Sequence, residues 1–94
     1  MPTKTILIVD DEESIRKSLA GILGDEGYEV VAAPSGRDGL DVLSEAQPAL
    51  ALLDIAMPEM DGIETLKRFK EVRPEMQVIM ITGHGTIETA VKTT

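Results

Sequence analysis

The sequence predicts an α/β fold: a doubly wound parallel sheet with strand order 2-1-3-4. Three observations carry this reading. Apolar runs alternate with segments of helical spacing in the order βαβαβαβα, the pattern of parallel strands joined by right-handed crossovers. The runs Ile6-Leu7-Ile8-Val9 and Leu50-Ala51-Leu52-Leu53 lack polar alternation, as expected of strands buried on both faces. Both runs close in acids, Asp10-Asp11 and Asp54, at the end of a parallel sheet where ligands bind.

Thr5 to Val9 is the first strand. From Glu13 the period changes, and Ile15, Leu19, Ile22 and Leu23 fall at helical spacing, with Arg16 and Lys17 turned outward. Gly24 and Gly27 offer stops for this helix. Tyr28 to Ala33 is the second strand, closed by Pro34. Ser35 caps the second helix with Asp38 three residues on. That helix carries Leu40, Val42 and Leu43 and stops before Pro48.

Ala49 to Leu53 is the third strand. In the loop that follows, Pro58 holds Met57 extended. Asp61 and Glu64 form the next capping pair, and Ile63, Leu66, Phe69 and Val72 give the inward face of a third helix that Pro74 ends. Gln77 to Ile81 is the fourth strand. Thr86 caps a fourth helix with Ile87, Ala90 and Val91. That helix ends on Lys92-Thr93-Thr94 after about two turns without a C-cap glycine, so the chain is expected to be a fragment of a longer domain.

The 94 residues suit one domain, residues 1–94, with no internal repeat or linker. Hydrophobic residues make up 43%, a globular composition. With only Tyr28 and Phe69 as aromatics, the core falls to Ile, Leu, Val, Ala and Met. A formal charge of −8 argues against direct nucleic-acid binding, which calls for a basic face. Without cysteine there is neither disulfide nor thiol chemistry. The amino-terminal apolar run is too short for a signal peptide or membrane span, so no membrane partner and a cytoplasmic location are expected.

The chemistry concentrates on one rim: Asp10, Asp11, Asp54 and Thr82, each directly after an apolar run. Taken singly, an Asp at a strand-to-helix junction is a common N-cap, and Asp11 could simply cap the first helix. Taken together, converging carboxylates cost free energy unless a cation neutralises them. Three acids and a hydroxyl are hard oxygen ligands, which suit Mg²⁺ rather than zinc. An Asp beside Mg²⁺ can also act as a nucleophile toward phosphorus.

Three segments carry a family resemblance. Ile6-Leu7-Ile8-Val9-Asp10-Asp11-Glu12, Leu52-Leu53-Asp54-Ile55-Ala56-Met57-Pro58-Glu59-Met60-Asp61-Gly62 and Ile79-Met80-Ile81-Thr82-Gly83 resemble, in motif and spacing, the signature segments of response-regulator receiver domains of two-component signalling. The resemblance covers the whole chain. It implies a flavodoxin-like fold and Mg²⁺-dependent phosphorelay signalling, without enzymatic turnover. Asp54 is then the acceptor of a phosphoryl group from a histidine kinase or phosphotransfer protein. Asp11 and Asp54 would ligate Mg²⁺ directly, with the backbone carbonyl of Ala56, and Asp10 would hold it through water. Thr82 would be the switch hydroxyl. The run Thr82-Gly83-His84-Gly85-Thr86 is similar to receivers of enhancer-binding, sigma-54-type transcription activators.

The family's lysine and aromatic switch partner lie on a fifth strand, past Thr94. The chain is therefore expected to lack the fifth strand and fifth helix, leaving strand four as an apolar edge and inviting self-association. Two other functions compete. A phosphohydrolase with an aspartyl nucleophile often carries a second Asp two residues on, where this chain has Ala56. A non-phosphorylated docking or dimerisation module would use the acids only as caps. His84, the sole histidine, lacks metal-ligand company and reads as a loop residue. Glu88 stands where a dinucleotide motif beginning at Gly83 needs glycine.

Overall fold

In a computed structural model, residues 4–54 and 62–81 are described. They form β1 (Thr5–Val9), α1 (Glu13–Asp25), β2 (Glu29–Ala33), α2 (Gly36–Ala46), β3 (Leu50–Asp54), α3 (Gly62–Val72) and β4 (Gln77–Ile81). The strands are all parallel, as the alternation of the sequence predicts, and stand in the expected order β2-β1-β3-β4. The predicted fourth helix lies outside the described residues.

The uninterrupted apolar character of β1 follows from its place. It pairs with β2 on one side and β3 on the other, and Ile6 to Val9 are all buried. Alternation splits them. Leu7 and Val9 join Leu43 of α2, Phe69 of α3 and Ala51, Leu53, Val78 and Met80 in the main core. Ile6 and Ile8 face the other way, where α1 packs on β1 and β2. No α1 residue enters the main core, and none is fully buried.

Helices α1 and α2 end for local reasons. Of the two glycines offered as stops for α1, Gly24 stays inside the helix, and Gly27 turns the chain at φ 96°, a backbone region open to glycine. The amide of Tyr28 then bonds Leu23 O at 3.2 Å. Ser35 caps α2 as predicted, its hydroxyl accepting the Asp38 amide at 3.1 Å. Gln47 ends α2 in the left-handed region, its amide bonded to Leu43 O at 3.0 Å, and Pro48 leads into β3.

The structure corrects five local expectations. β2 starts at Glu29 rather than Tyr28, and β3 runs from Leu50 to Asp54 rather than from Ala49 to Leu53. On α3, Ile63 and Val72 were expected to face inward but are exposed, and Thr65 is fully buried instead. The reason is that α3 packs closely on α2: a Cβ at Gly36 would meet the Thr65 side chain, and one at Gly39 would meet Phe69 and Val9 at 3.0 Å. On α1, Ile15 and Ile22 are exposed although they share the apolar spacing, because α1 covers only the β1–β2 half of its sheet face. Arg16, expected to point outward, is half-buried and bonds the chain at Asp10.

Candidate cation and phosphoacceptor site

Register places the acids. Val9 pairs with Leu53, so the next residues, Asp10 and Asp54, stand at the same level on neighbouring strands. Asp54 also pairs with Ile81, the residue before Thr82. The sheet thus brings Asp10, Asp11 and Asp54 together, with one ligand oxygen from each lying within 4.8 Å of the others. Thr82 and Ala56 lie outside the described residues, as do Met57, Asp61 and His84.

The three carboxylates differ in environment. Asp10 and Asp54 are buried at the strand ends, and Asp11 is exposed on the rim. Asp10 continues the β1–β2 ladder, its amide donating to Ala33 O at 3.2 Å. Its Oδ1 accepts the Glu12 amide at 2.9 Å. Glu12, not Asp11, occupies the N-cap position of α1, and its side chain makes no capping bond. The capping alternative for Asp11 is therefore not what the structure shows. The helix start is instead held by Asp10, whose backbone carbonyl also accepts from Arg16 Nη1 at 2.8 Å.

Burial pushes the Asp10 carboxyl above its ordinary range. The Glu12 amide opposes this shift, while the charges of Asp54, Asp11 and Glu12 add to it. The site therefore holds negative charge at an electrostatic cost, which a bound cation would relieve. The donor set fits Mg²⁺: it is all oxygen and all carboxylate, with Asp11 exposed, and Mg²⁺ is commonly held by one or two carboxylates beside waters and phosphate oxygens.

Sequence reasoning missed one support of this site, Arg16, and one helix–helix contact of the fold, at Thr65. Arg16 has no motif of its own, and its spacing from Asp10 marks only a neighbour in the first turn of α1. Thr65 reads as a polar helix residue, yet it lies buried beneath Gly36. The glycine opposite was the available signal, since close helix approach needs one residue without a side chain.

Comparison with known proteins agrees with this geometry. The family model described as "Response regulator receiver domain" matches residues 6–94. A putative response regulator, NtrX-like, from Rickettsia bellii is 48% identical over 88 residues, covering 92% of this chain and 18% of the relative. Sporulation initiation phosphotransferase F of Bacillus subtilis is 41% identical, over 94% of this chain and 71% of its own length. The crystal structure of a CheY-like response regulator receiver domain protein from Methanospirillum hungatei superposes with a TM-score of 0.85 at 42% identity, covering 96% of this chain and 72% of that one. The chain thus spans about a fifth of the NtrX-like relative and nearly three quarters of the receiver structure. No helix among the described residues is long and apolar enough to cross a membrane. Receiver domains are signalling modules that bind Mg²⁺ through acidic residues and work with histidine kinases or phosphotransfer proteins; the chain belongs to the response-regulator receiver family and serves phosphorelay signal transduction.

Proposed function

We propose that Asp54 is the phosphoacceptor, in a Mg²⁺ site built by Asp10, Asp11 and Asp54. The observation that carries this is the convergence of the three carboxylates from two adjacent strand ends, within 4.8 Å of one another. A carboxylate oxygen of Asp54 attacks the phosphorus of a phosphohistidine on a partner kinase or phosphotransfer protein. The O–P bond forms as the N–P bond breaks, and the leaving imidazole takes up a proton. Such a transfer rests on in-line positioning and charge neutralisation, and Mg²⁺, when bound, supplies the neutralisation.

The chain's own residues divide the remaining work. Asp11, exposed on the rim, and Asp54 would ligate the ion directly, and Asp10, buried and hydrogen-bonded to the Glu12 amide, would support it through water. The Ala56 carbonyl completes the ligand set, and the Thr82 hydroxyl reads the phosphoryl group; both assignments rest on the family motif. Incubation with acetyl phosphate and Mg²⁺ is expected to add one phosphoryl mass to the protein, and Asp54→Asn to abolish it. An unchanged mass shift in the Asp54→Asn protein would remove Asp54 from the role.

We further propose that the whole protein is a cytoplasmic transcription activator of the sigma-54 type, in line with its NtrX-like relative, and that no nucleic acid contacts this acidic domain. The chain is also proposed to self-associate. On the face that α1 half-covers, Leu52, Ile79 and Ile81 are half-exposed, with exposed Ile15 and Ile22 on the helix beside them. Among the described residues, β4 pairs on one side only. Open edges and apolar patches of this kind favour pairing with another chain.

A further inference from the structure

Arg16 lies in the first turn of α1, beside Lys17, yet the two cations behave differently. Lys17 stays exposed and pairs with Glu13 at 3.6 Å, both side chains largely in solvent. Arg16 is half-buried and turns back along the chain, so that its Nη1 donates to the carbonyl oxygen of Asp10 at 2.8 Å. That carbonyl belongs to the peptide unit joining Asp10 to Asp11. A planar peptide carries the next Cα with it, so fixing this carbonyl fixes where the Asp11 side chain leaves the backbone.

The loop is then held from both sides. Asp10 Oδ1 accepts the amide of Glu12, and Asp10 O accepts the guanidinium of Arg16. Between these two anchors sits Asp11, the one exposed carboxylate of the three. An exposed side chain on a loop is free to swing away from its neighbours, the more so because two like charges repel it. A fixed backbone is what keeps its oxygen near those of Asp10 and Asp54.

We propose that Arg16 is a positioning residue for the cation site: it locks the Asp10–Asp11 peptide so that the Asp11 carboxylate faces Asp54 before the ion arrives. This rests on the reading of the three acids as a Mg²⁺ site. Its guanidinium acts through the Asp10 carbonyl that it bonds.

The sign of one substitution separates this role from simple electrostatics. Removing a cation near a Mg²⁺ site strengthens Mg²⁺ binding if charge alone matters. Removing a positioning residue weakens it, and partners that orient metal ligands are typically worth about 10- to 100-fold in affinity. Mg²⁺ titration followed by NMR or calorimetry is expected to show Arg16→Gln binding about tenfold more weakly than the unsubstituted chain. Arg16→Lys, which keeps the charge and one donor on a less rigid stem, should recover part of the loss. Lys17→Gln should bind as the unsubstituted chain does. With acetyl phosphate, the Mg²⁺ concentration for half-maximal phosphorylation rises in Arg16→Gln while the rate at saturating Mg²⁺ is kept. Equal or tighter Mg²⁺ binding by Arg16→Gln and Arg16→Lys, beside normal binding by the unsubstituted chain, overturns the positioning role and leaves the site reading intact. Absence of millimolar Mg²⁺ binding by the unsubstituted chain overturns both.

Discussion

Gly36, the first residue of α2, sits directly against Thr65 of α3, and a Cβ at position 36 would overlap the Thr65 hydroxyl. Thr65 is fully buried, so it has no solvent to move into. Gly36→Ala should therefore destabilise the domain by about 1–3 kcal/mol, the usual cost of overpacking, even though alanine favours helix. Chemical denaturation measures this directly; an unchanged or raised midpoint would show that the two helices part without penalty.

The Ser35 cap gives a second expectation. Its hydroxyl holds the Asp38 amide at the start of α2, and loss of such a cap costs about 1 kcal/mol. Ser35→Ala should lower the denaturation midpoint accordingly, while Ser35→Asp, still able to accept the bond, should not. Equal losses in both variants would count against capping as the cause.

Asp10 ties stability to pH and to Mg²⁺. Its folded carboxyl holds a proton more tightly than usual because it is buried among other acids. A raised value means that the stability it contributes is present below the ordinary carboxylate range and is lost as pH rises through the raised value. At pH 7, without Mg²⁺, ionised Asp10 is thus a burden. Asp10→Asn, whose side-chain oxygen can still accept the Glu12 amide, should melt higher than the unsubstituted chain in Mg²⁺-free buffer at pH 7. The gap should shrink on acidification and on adding Mg²⁺. A lower melting temperature for Asp10→Asn in every condition would refute this account.

Self-association through the half-covered face can be probed on α1. Ile22 is 61% exposed, so Ile22→Lys should leave stability within about 0.5 kcal/mol and lower the mean mass seen by light scattering. A clean monomer for the unsubstituted chain would dispose of self-association altogether.

The sheet was largely legible because its signals are local. β1 and β4 have the predicted bounds, since continuous β-branched runs admit little else, and the Ser35 cap announces itself within four residues. The acids of the site were legible for the same reason: each ends an apolar run. The faces of the helices were less so. Ile63 and Val72 have helical spacing with Leu66 and Phe69, but α3 is rotated by its contact with Gly36 so that Thr65 is buried instead. Spacing alone gives a stripe, and the neighbour decides which edge of the stripe is inside. Arg16 escaped notice because its bond is to a backbone carbonyl, and every residue offers one.

Asp10 and Asp54 close β1 and β3, and each of these strands is flanked on both sides by another. Fraying starts at the margins of a sheet, which among the described residues are β2 and β4, whereas inner strands exchange their amides in openings closer to global unfolding. The acids are therefore anchored on the inner strands of the described sheet. Motion at either margin can come and go on its own timescale while the two strands that carry the acids keep their register. The lifetime of the carboxylate cluster is, on this view, the lifetime of the fold itself.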